Sequence, residues 1–179
     1  LYTDEKIYFD IVQSGSGVGV VSGSTVVAGT WYHLTATYDG VRQKLYINGV
    51  LEDDDAETGA IDNDDVSLEI GRKGDSSAYF NGSIANVGIW NRALSASEIE
   101  SIMWRGSYSE LQDTELTNLV SWYNLSADVN DSTGTNNGTN NGATINTNSY
   151  SGSSPFKPRI RDKAQPKMAV QLADGSTSF

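Results

Sequence analysis

Closely spaced carboxylates are the first feature of the sequence that could do chemistry. Glu52, Asp54 and Glu57 lie within six residues of one another, and alternate positions of a β-strand place two such side chains on one face. Retaining glycoside hydrolysis needs two carboxyl groups about 5–5.5 Å apart, one as nucleophile and one as acid/base. This run, however, directly follows an Asn-Gly turn, at the solvated end of a predicted hairpin. We therefore interpret it as a charged edge that discourages strand-to-strand aggregation, and we predict no catalysis there.

A second acidic group could bind calcium. Asp62, Asp64 and Asp75 lie in predicted loops, and calcium takes six to eight oxygen ligands from carboxylates, carbonyls and water. The alternative is a solvated acidic face without a metal. Both interpretations stay open, with calcium as the one candidate cofactor.

Histidine and aromatic residues are the remaining candidates for a site. His33 is the only histidine, and because no serine or cysteine motif accompanies it we expect a structural role. The four tryptophans could stack on sugars, but core packing is the default for such large side chains. Tyr79 and Phe80, beside the loop of Asp75, are better placed for contact with a ligand.

Composition excludes several classes of function. The 179 residues carry a formal charge of −11 and no cysteine. Such an acidic surface repels phosphate, which argues against binding to nucleic acid or anionic membranes. Thiol nucleophiles, disulfides and thiolate zinc sites are absent. No stretch approaches the roughly 20 apolar residues needed to cross a bilayer, so we expect no membrane insertion.

Alternation of apolar and polar residues with a period of two dominates the first ninety residues and predicts β-strands. Asp39-Gly40 and Asn48-Gly49 are typical of tight hairpin turns with positive φ at both centres, which predicts a three-stranded antiparallel meander. The predicted strands cover residues 6–12, 17–21, 31–38, 41–47, 50–57, 66–71 and 83–91.

One helix is predicted after these strands. Ser95 and Glu98 have the spacing of a capping box, Ile99, Ile102 and Met103 form one apolar stripe, and Gly106 can end the helix in a left-handed conformation. Many short antiparallel strands with a single short helix predict an all-β protein, a β-sandwich or jelly roll.

Two blocks of sequence carry a resemblance to a known family. Residues 29–40 (GTWYHLTATYDG) and 45–49 (LYING) resemble the central hairpins of laminin-G-like, concanavalin A-like jelly rolls. Residues 80–99 (FNGSIANVGIWNRALSASEI) resemble the last strand and following helix of the pentraxin-like branch. The resemblance covers about residues 1–105 and implies an antiparallel β-sandwich whose opening strands are missing from this domain. It also puts Asp75 at the position of one pentraxin calcium ligand.

The resemblance bears on catalysis as well. Glu52, Asp54 and Glu57 have the spacing that laminarinase-type glycoside hydrolases of this fold use, but in those enzymes the intervening residues are apolar. Here they are Asp53, Asp55 and Ala56. We therefore expect a protein that is not an enzyme.

The later part of the chain resembles the beginning of a second repeat. Residues 119–125 (LVSWYNL) and 130–134 (NDSTG) look like the family's first strand and the loop after it, so 119–150 is predicted to open a second unit after a connector at 106–118. Residues 151–179 form a basic extended tail, and residues 152–179 carry a net charge of +3 against −14 for the rest. We expect no regular structure in this tail. It, or the strand at 119–125, is predicted to pack on another copy or module and replace the missing strands.

Two functions follow from these observations. The first is a non-catalytic adhesion or carbohydrate-binding module of a larger repetitive protein, with a glycan as ligand. The second is a structural component of a virion, such as a phage tail fibre or capsid decoration, whose partners are neighbouring repeats or copies of itself. Both predict a location outside the cell or on a virion surface.

Overall fold

The protein is mostly β, with short strands that all pair antiparallel. The computed structural model describes residues 4–63, 67–72, 78–146 and 169–172. Within these ranges the strands form four small sheets, in the orders β1-β2, β3-β10-β7, β4-β5-β6 and β8-β9. The elements are β1 (Tyr8–Gln13), β2 (Ser16–Val21), β3 (Trp31–Tyr32), β4 (Leu34–Tyr38), β5 (Arg42–Ile47), β6 (Val50–Ala56), β7 (Gly82–Ala85), β8 (Val87–Trp90), α1 (Ala96–Ile102), α2 (Asp113–Leu116), β9 (Leu119–Tyr123) and β10 (Ala169–Leu172).

The predicted meander is present as β4-β5-β6, and its two turns differ. Asn48 and Gly49 have φ of 52° and 78°, as a two-residue turn with positive φ at both centres requires. Asp39 and Gly40 were expected at the centre of the other turn, but the central pair is shifted by one residue. Gly40 has a φ of 89° and Val41 is the second central residue, while the Asp39 carboxylate accepts hydrogen bonds from the amides of Val41 (2.9 Å) and Arg42 (2.7 Å).

Two long predicted strands are each divided in the structure. The strand predicted over 31–38 is interrupted at His33, whose backbone is bonded to the turn at Asn48 instead: its N–H donates to Asn48 Oδ1 (2.9 Å) and its carbonyl accepts from the Asn48 amide (2.8 Å). The strand predicted over 83–91 is interrupted at Asn86, which has a φ of 54°. A residue with positive φ does not continue the extended backbone of a strand, so the strand ends there.

The strand predicted over 66–71 is wrong in the described part of that range. Residues 67–72 contain only an isolated bridge, between Arg72 and Tyr79. Leu68 is 68% exposed there and Ile70 is also exposed, so neither enters a core.

The capping box of α1 is confirmed. The Glu98 amide donates to Ser95 Oγ (3.3 Å) and the Ser95 amide donates to Glu98 Oε2 (2.8 Å). The predicted ending is wrong, because the helix stops at Ile102 and the Gly106 amide instead donates to Glu110 Oε2 (2.9 Å). The expectation of a single helix is also wrong, since α2 and a 3-10 turn at Tyr108–Glu110 follow. No helix within the described ranges is long and apolar enough to span a membrane.

The two C-terminal strands pair with strands of the same chain. β9 pairs with β8, with Gly88 opposite Trp122, and β10 lies between β3 and β7. The expectation that the tail lacks regular structure is therefore wrong for residues 169–172. The hypothesis that these segments pack on another copy or module stays a prediction, since these pairings lie within one chain.

The core lies where β5, α1 and β9 meet. Trp122 of β9 is fully buried, and its ring meets that of Trp90 edge to face, with centroids 6.1 Å apart. Gly88 leaves room for both rings, since a Cβ there would lie 2.5 Å from Trp90 and 2.8 Å from Trp122. The buried members of the cluster are Tyr46, Leu94, Ile99, Ile102, Leu111 and Trp122.

Candidate functional site

The carboxylates of β6 are engaged with neighbouring parts of the chain. Glu52 accepts hydrogen bonds from the Ser24 amide (2.8 Å) and the Ser24 hydroxyl (3.1 Å). Asp54 forms an ion pair with Arg42 at 2.7 Å. These contacts give both carboxylates a structural role: Glu52 fixes the loop after β2, and Asp54 joins β6 to β5.

Of the three predicted calcium ligands, the structure describes only Asp62. Its two carboxylate oxygens accept hydrogen bonds from the amides of Ser14 (2.9 Å) and Gly15 (2.7 Å), so Asp62 closes the turn between β1 and β2. Asp64 and Asp75 lie outside the described residues. Within the described ranges, no group of three or more histidine, aspartate or glutamate side chains is placed to hold a metal ion.

Tyr79 and Phe80 lie where two chain segments converge. Arg72 and Tyr79 form an antiparallel bridge, and the Phe80 amide donates to the Gly71 carbonyl (2.8 Å). The Tyr79 side chain is 59% exposed, whereas Phe80 is half-buried. The backbone after Tyr79 is therefore bonded to Gly71, while the Tyr79 side chain is largely exposed.

A charged pair that the sequence analysis did not identify lies beside this bridge. Arg72 forms an ion pair with Glu69. A hydrogen bond to Glu69 is the main cause of a raised pKa for Arg72, and a hydrogen bond to Tyr79 is the second cause. The second oxygen of Glu69 is buried and has no hydrogen-bond partner among the described residues. In the sequence, only the separation of three residues between Glu69 and Arg72 could have indicated this ion pair.

His33 is fully buried. Neither ring nitrogen has a hydrogen-bond partner in the described part of the chain. Burial lowers the pKa of His33 from 6.5 to about 4, because the charged ring loses its hydration without gaining a partner. His33 and Arg92 both line a cavity of about 220 Å³ next to α1, and the Arg92 guanidinium is paired with Glu98 at 2.7 Å.

Asp131 organises the loop after β9, a role that no motif in the sequence indicated. It is buried, and it accepts hydrogen bonds from the amides of Trp122 (2.9 Å), Thr133 (3.0 Å) and Asn136 (3.0 Å). Burial raises the pKa of this carboxyl, but the hydrogen bonds from Thr133, Trp122 and Asn136 outweigh burial and hold the pKa well below its usual range. Asp131 is thus ionised and structural.

Comparison with known proteins gives one family and one solved structure. A family model described as the concanavalin A-like lectin/glucanases superfamily matches residues 1–100. An S-layer domain-containing protein (residues 221–444) from Clostridium thermocellum ATCC 27405 is 32% identical, with a TM-score of 0.39. That match covers 54% of this chain and 50% of the other, so the chain spans about half the length of the solved structure. No curated protein matches the chain.

Proposed function

The chain belongs to the concanavalin A-like lectin/glucanase superfamily over residues 1–100, as the sequence resemblance indicated, and from this premise we propose that it is a non-catalytic carbohydrate-binding and adhesion module. The observation that carries the proposal is the exposed ring of Tyr79, which lies opposite Arg72 in a backbone bridge. An aromatic face packs against the apolar C–H surface of a sugar, and binding loses less entropy when the ring is already held in position. Arg72 beside the ring supplies hydrogen-bond donors for hydroxyl groups.

We propose that the four small sheets are parts of one jelly-roll sandwich, the architecture of the superfamily. Side-chain contacts that link the β1-β2 hairpin to the meander support this view. Gln43 donates from its side chain to the Val18 carbonyl (3.4 Å), and the Val21 amide donates to the Asp53 carboxylate (3.0 Å). Val20 and Leu45, one on each side, are both buried.

The proposal excludes glycoside hydrolysis. A nucleophile must be free to attack the sugar and its partner free to exchange a proton. Glu52 is held by Ser24, and Asp54 is paired with Arg42. Incubation with laminarin and release of reducing sugar tests this: release that is lost in Glu52→Gln would contradict the proposal.

Calcium remains part of the proposal as a cofactor. Asp62 does not fit the ligand role well, because both of its oxygens accept backbone hydrogen bonds. Asp64 and Asp75 are proposed as ligands, and the unpartnered oxygen of Glu69 is a third donor of the type that calcium prefers. Titration calorimetry of chelator-treated protein should show calcium binding that Asp75→Asn weakens, while Asp113→Asn, a change in an exposed carboxylate on α2, leaves it intact. If the unmodified protein shows no heat of calcium binding, this part of the proposal is overturned.

A glycan array with and without calcium tests the binding function. We expect binding of at least one glycan, weakened about tenfold by Tyr79→Ala, as expected when one aromatic stacking contact is lost. Val41→Ala is the matched control, because Val41 is similarly exposed (57%) but lies at the turn between β4 and β5. If no glycan on the array is bound, either with or without calcium, the lectin function is refuted.

The second function, a structural component whose surface serves assembly, is favoured by the way β10 pairs with two separate strand edges, those of β3 and β7. A virion or other extracellular particle is the proposed location. Labelling of intact particles or cells with a membrane-impermeant lysine reagent tests this location, since an internal protein would stay unlabelled.

A further inference from the structure

β10 fills a gap between two strands that do not pair with each other. It pairs with Tyr32 and Trp31 of β3 on one side and with the whole of β7 on the other. In the sheet order β3-β10-β7, β10 is the only connection between its neighbours among the described residues. We call the facing edges of β3 and β7 the strand slot. Whatever occupies this slot supplies the backbone hydrogen bonds of two strand edges.

The two C-terminal strands are attached to the chain in different ways. β9 is tied to its partner β8 by the intervening residues: Trp90 Nε1 donates to the Glu115 carbonyl (2.7 Å), and Arg92 donates to the carbonyls of Thr117 (2.9 Å) and Thr114 (2.8 Å). These bonds join the chain at the end of β8 to the segment just before β9. β9 is therefore committed to its own chain.

β10 follows a long stretch of sequence. Residues 147–168 separate it from the preceding described segment, and 22 residues can span at most about 75 Å. The radius of gyration of a compact domain of 100 residues is only about 13 Å. The length of chain before β10 thus suffices to reach either its own strand slot or the slot of an adjacent molecule.

We propose that β10 is an exchangeable strand and that the strand slot binds the β10 segment of a second copy of this chain. The exchanged form contains the same strand pairings as the closed form, so the two differ mainly in the entropy of association. Addition of a strand to exposed sheet edges is an established mode of assembly.

Charge favours the encounter between copies. Five basic residues precede β10, between Lys157 and Lys167, whereas β6 carries four consecutive acidic residues, 52–55. Opposite charges on two copies bring them together and orient them. This inference concerns assembly and does not depend on glycan binding.

Disulfide trapping in the full chain tests the proposal, because the protein contains no cysteine of its own. Gln171 of β10 is opposite Ser83 of β7, and opposite residues in antiparallel strands are close enough for a disulfide. Chains with Ser83→Cys are mixed with chains with Gln171→Cys, oxidised, and analysed by non-reducing gel and mass spectrometry. We expect a mixed dimer linked between residues 83 and 171, increasing as protein concentration rises from about 10 µM to about 1 mM.

Matched controls separate exchange from random oxidation. Ser16→Cys, at an exposed position of β2, replaces Ser83→Cys in the first control and should give little mixed dimer. Adding Val170→Pro to the Gln171→Cys chain should abolish the mixed dimer, because proline cannot donate a hydrogen bond in the middle of the sheet.

A chain that carries both cysteines reports on the closed form. Exchange would be overturned by two results together. The double variant would form an internal disulfide, and the mixing experiments would yield no more mixed dimer than the Ser16→Cys control at any concentration. A double variant that forms no 83–171 disulfide at all would overturn the strand slot itself. Either result leaves the Tyr79 experiment unaffected, so the failure of this inference is distinguishable from failure of the proposed function.

Discussion

Replacing His33 by leucine probes a fully buried titratable ring that has no hydrogen-bond partner among the described residues. In the unfolded chain the imidazole has its ordinary pKa of 6.5, and burial lowers the pKa in the folded protein to about 4. Between these values the unfolded state binds one more proton than the folded state. The free energy of unfolding therefore rises with pH in this window, and it falls when the solution is acidified.

The size of the effect follows from the two pKa values. Lowering the pH from 7 to 5 should remove about 2 kcal/mol of stability through His33 alone. For a chain of this length, that corresponds to a fall in melting temperature of roughly 4–8 °C. Glu98, with a pKa of about 2, and Asp131, whose pKa is held well below its usual range, stay ionised across this window in the folded state. Subtracting the His33→Leu profile from that of the unmodified protein isolates the contribution of the imidazole.

Urea denaturation at pH 7, 6 and 5 measures this difference. We expect His33→Leu to be at least as stable as the unmodified protein at pH 7, because it removes two unpartnered nitrogens from the interior, and to lose about 2 kcal/mol less on acidification to pH 5. Parallel profiles for the two proteins would refute the argument. A loss of more than about 2 kcal/mol at pH 7 would also refute it, since it would mean that the ring has a hydrogen-bond partner in solution.

Two further predictions concern packing and the loop after β9. Gly88→Ala should cost about 1–3 kcal/mol in urea denaturation, because the new Cβ meets Trp90 and Trp122, whereas Gly17→Ala, at a strand position with open space, should cost far less; equal costs would contradict the packing argument. Asp131→Asn should lower stability at pH 7 by about 2–4 kcal/mol, because the amide replaces a carboxylate that accepts several hydrogen bonds. Since the pKa of Asp131 is depressed in the folded state, this deficit should shrink as the pH falls below the ordinary pKa of aspartate, and a deficit unchanged down to pH 2 would count against it.

Elements defined by local signals could be predicted from the sequence. The capping box of α1 and the turn at Asn48-Gly49 depend on residues a few positions apart, and both have the predicted form. The strand predicted over 66–71 is wrong in its described part because Leu68 and Ile70 remain on the surface. Alternation alone does not reveal whether a face is covered.

Long-range partners could not be read from the sequence. The placement of β10 depends on pairing between Val170 and Tyr32, which no local pattern encodes. The candidate site shows the same limit: Tyr79 was predicted as a ligand contact, but its neighbour Arg72 became relevant only when the bridge between them was known. The buried hydrogen bonds of Asp131 likewise require the loop to be folded.

The position of β10 has a consequence for synthesis of the chain. Val170 and Tyr32 are about 140 positions apart, and contacts of such long range form slowly during folding. A ribosome adds roughly 5–20 residues per second, so the last residues of β10 emerge about 4–17 s after those of β7. During this interval β3 and β7 are already made while their own β10 is still being synthesised. Polysomes that hold several nascent chains side by side are therefore where a neighbour's finished strand would compete best with the chain's own.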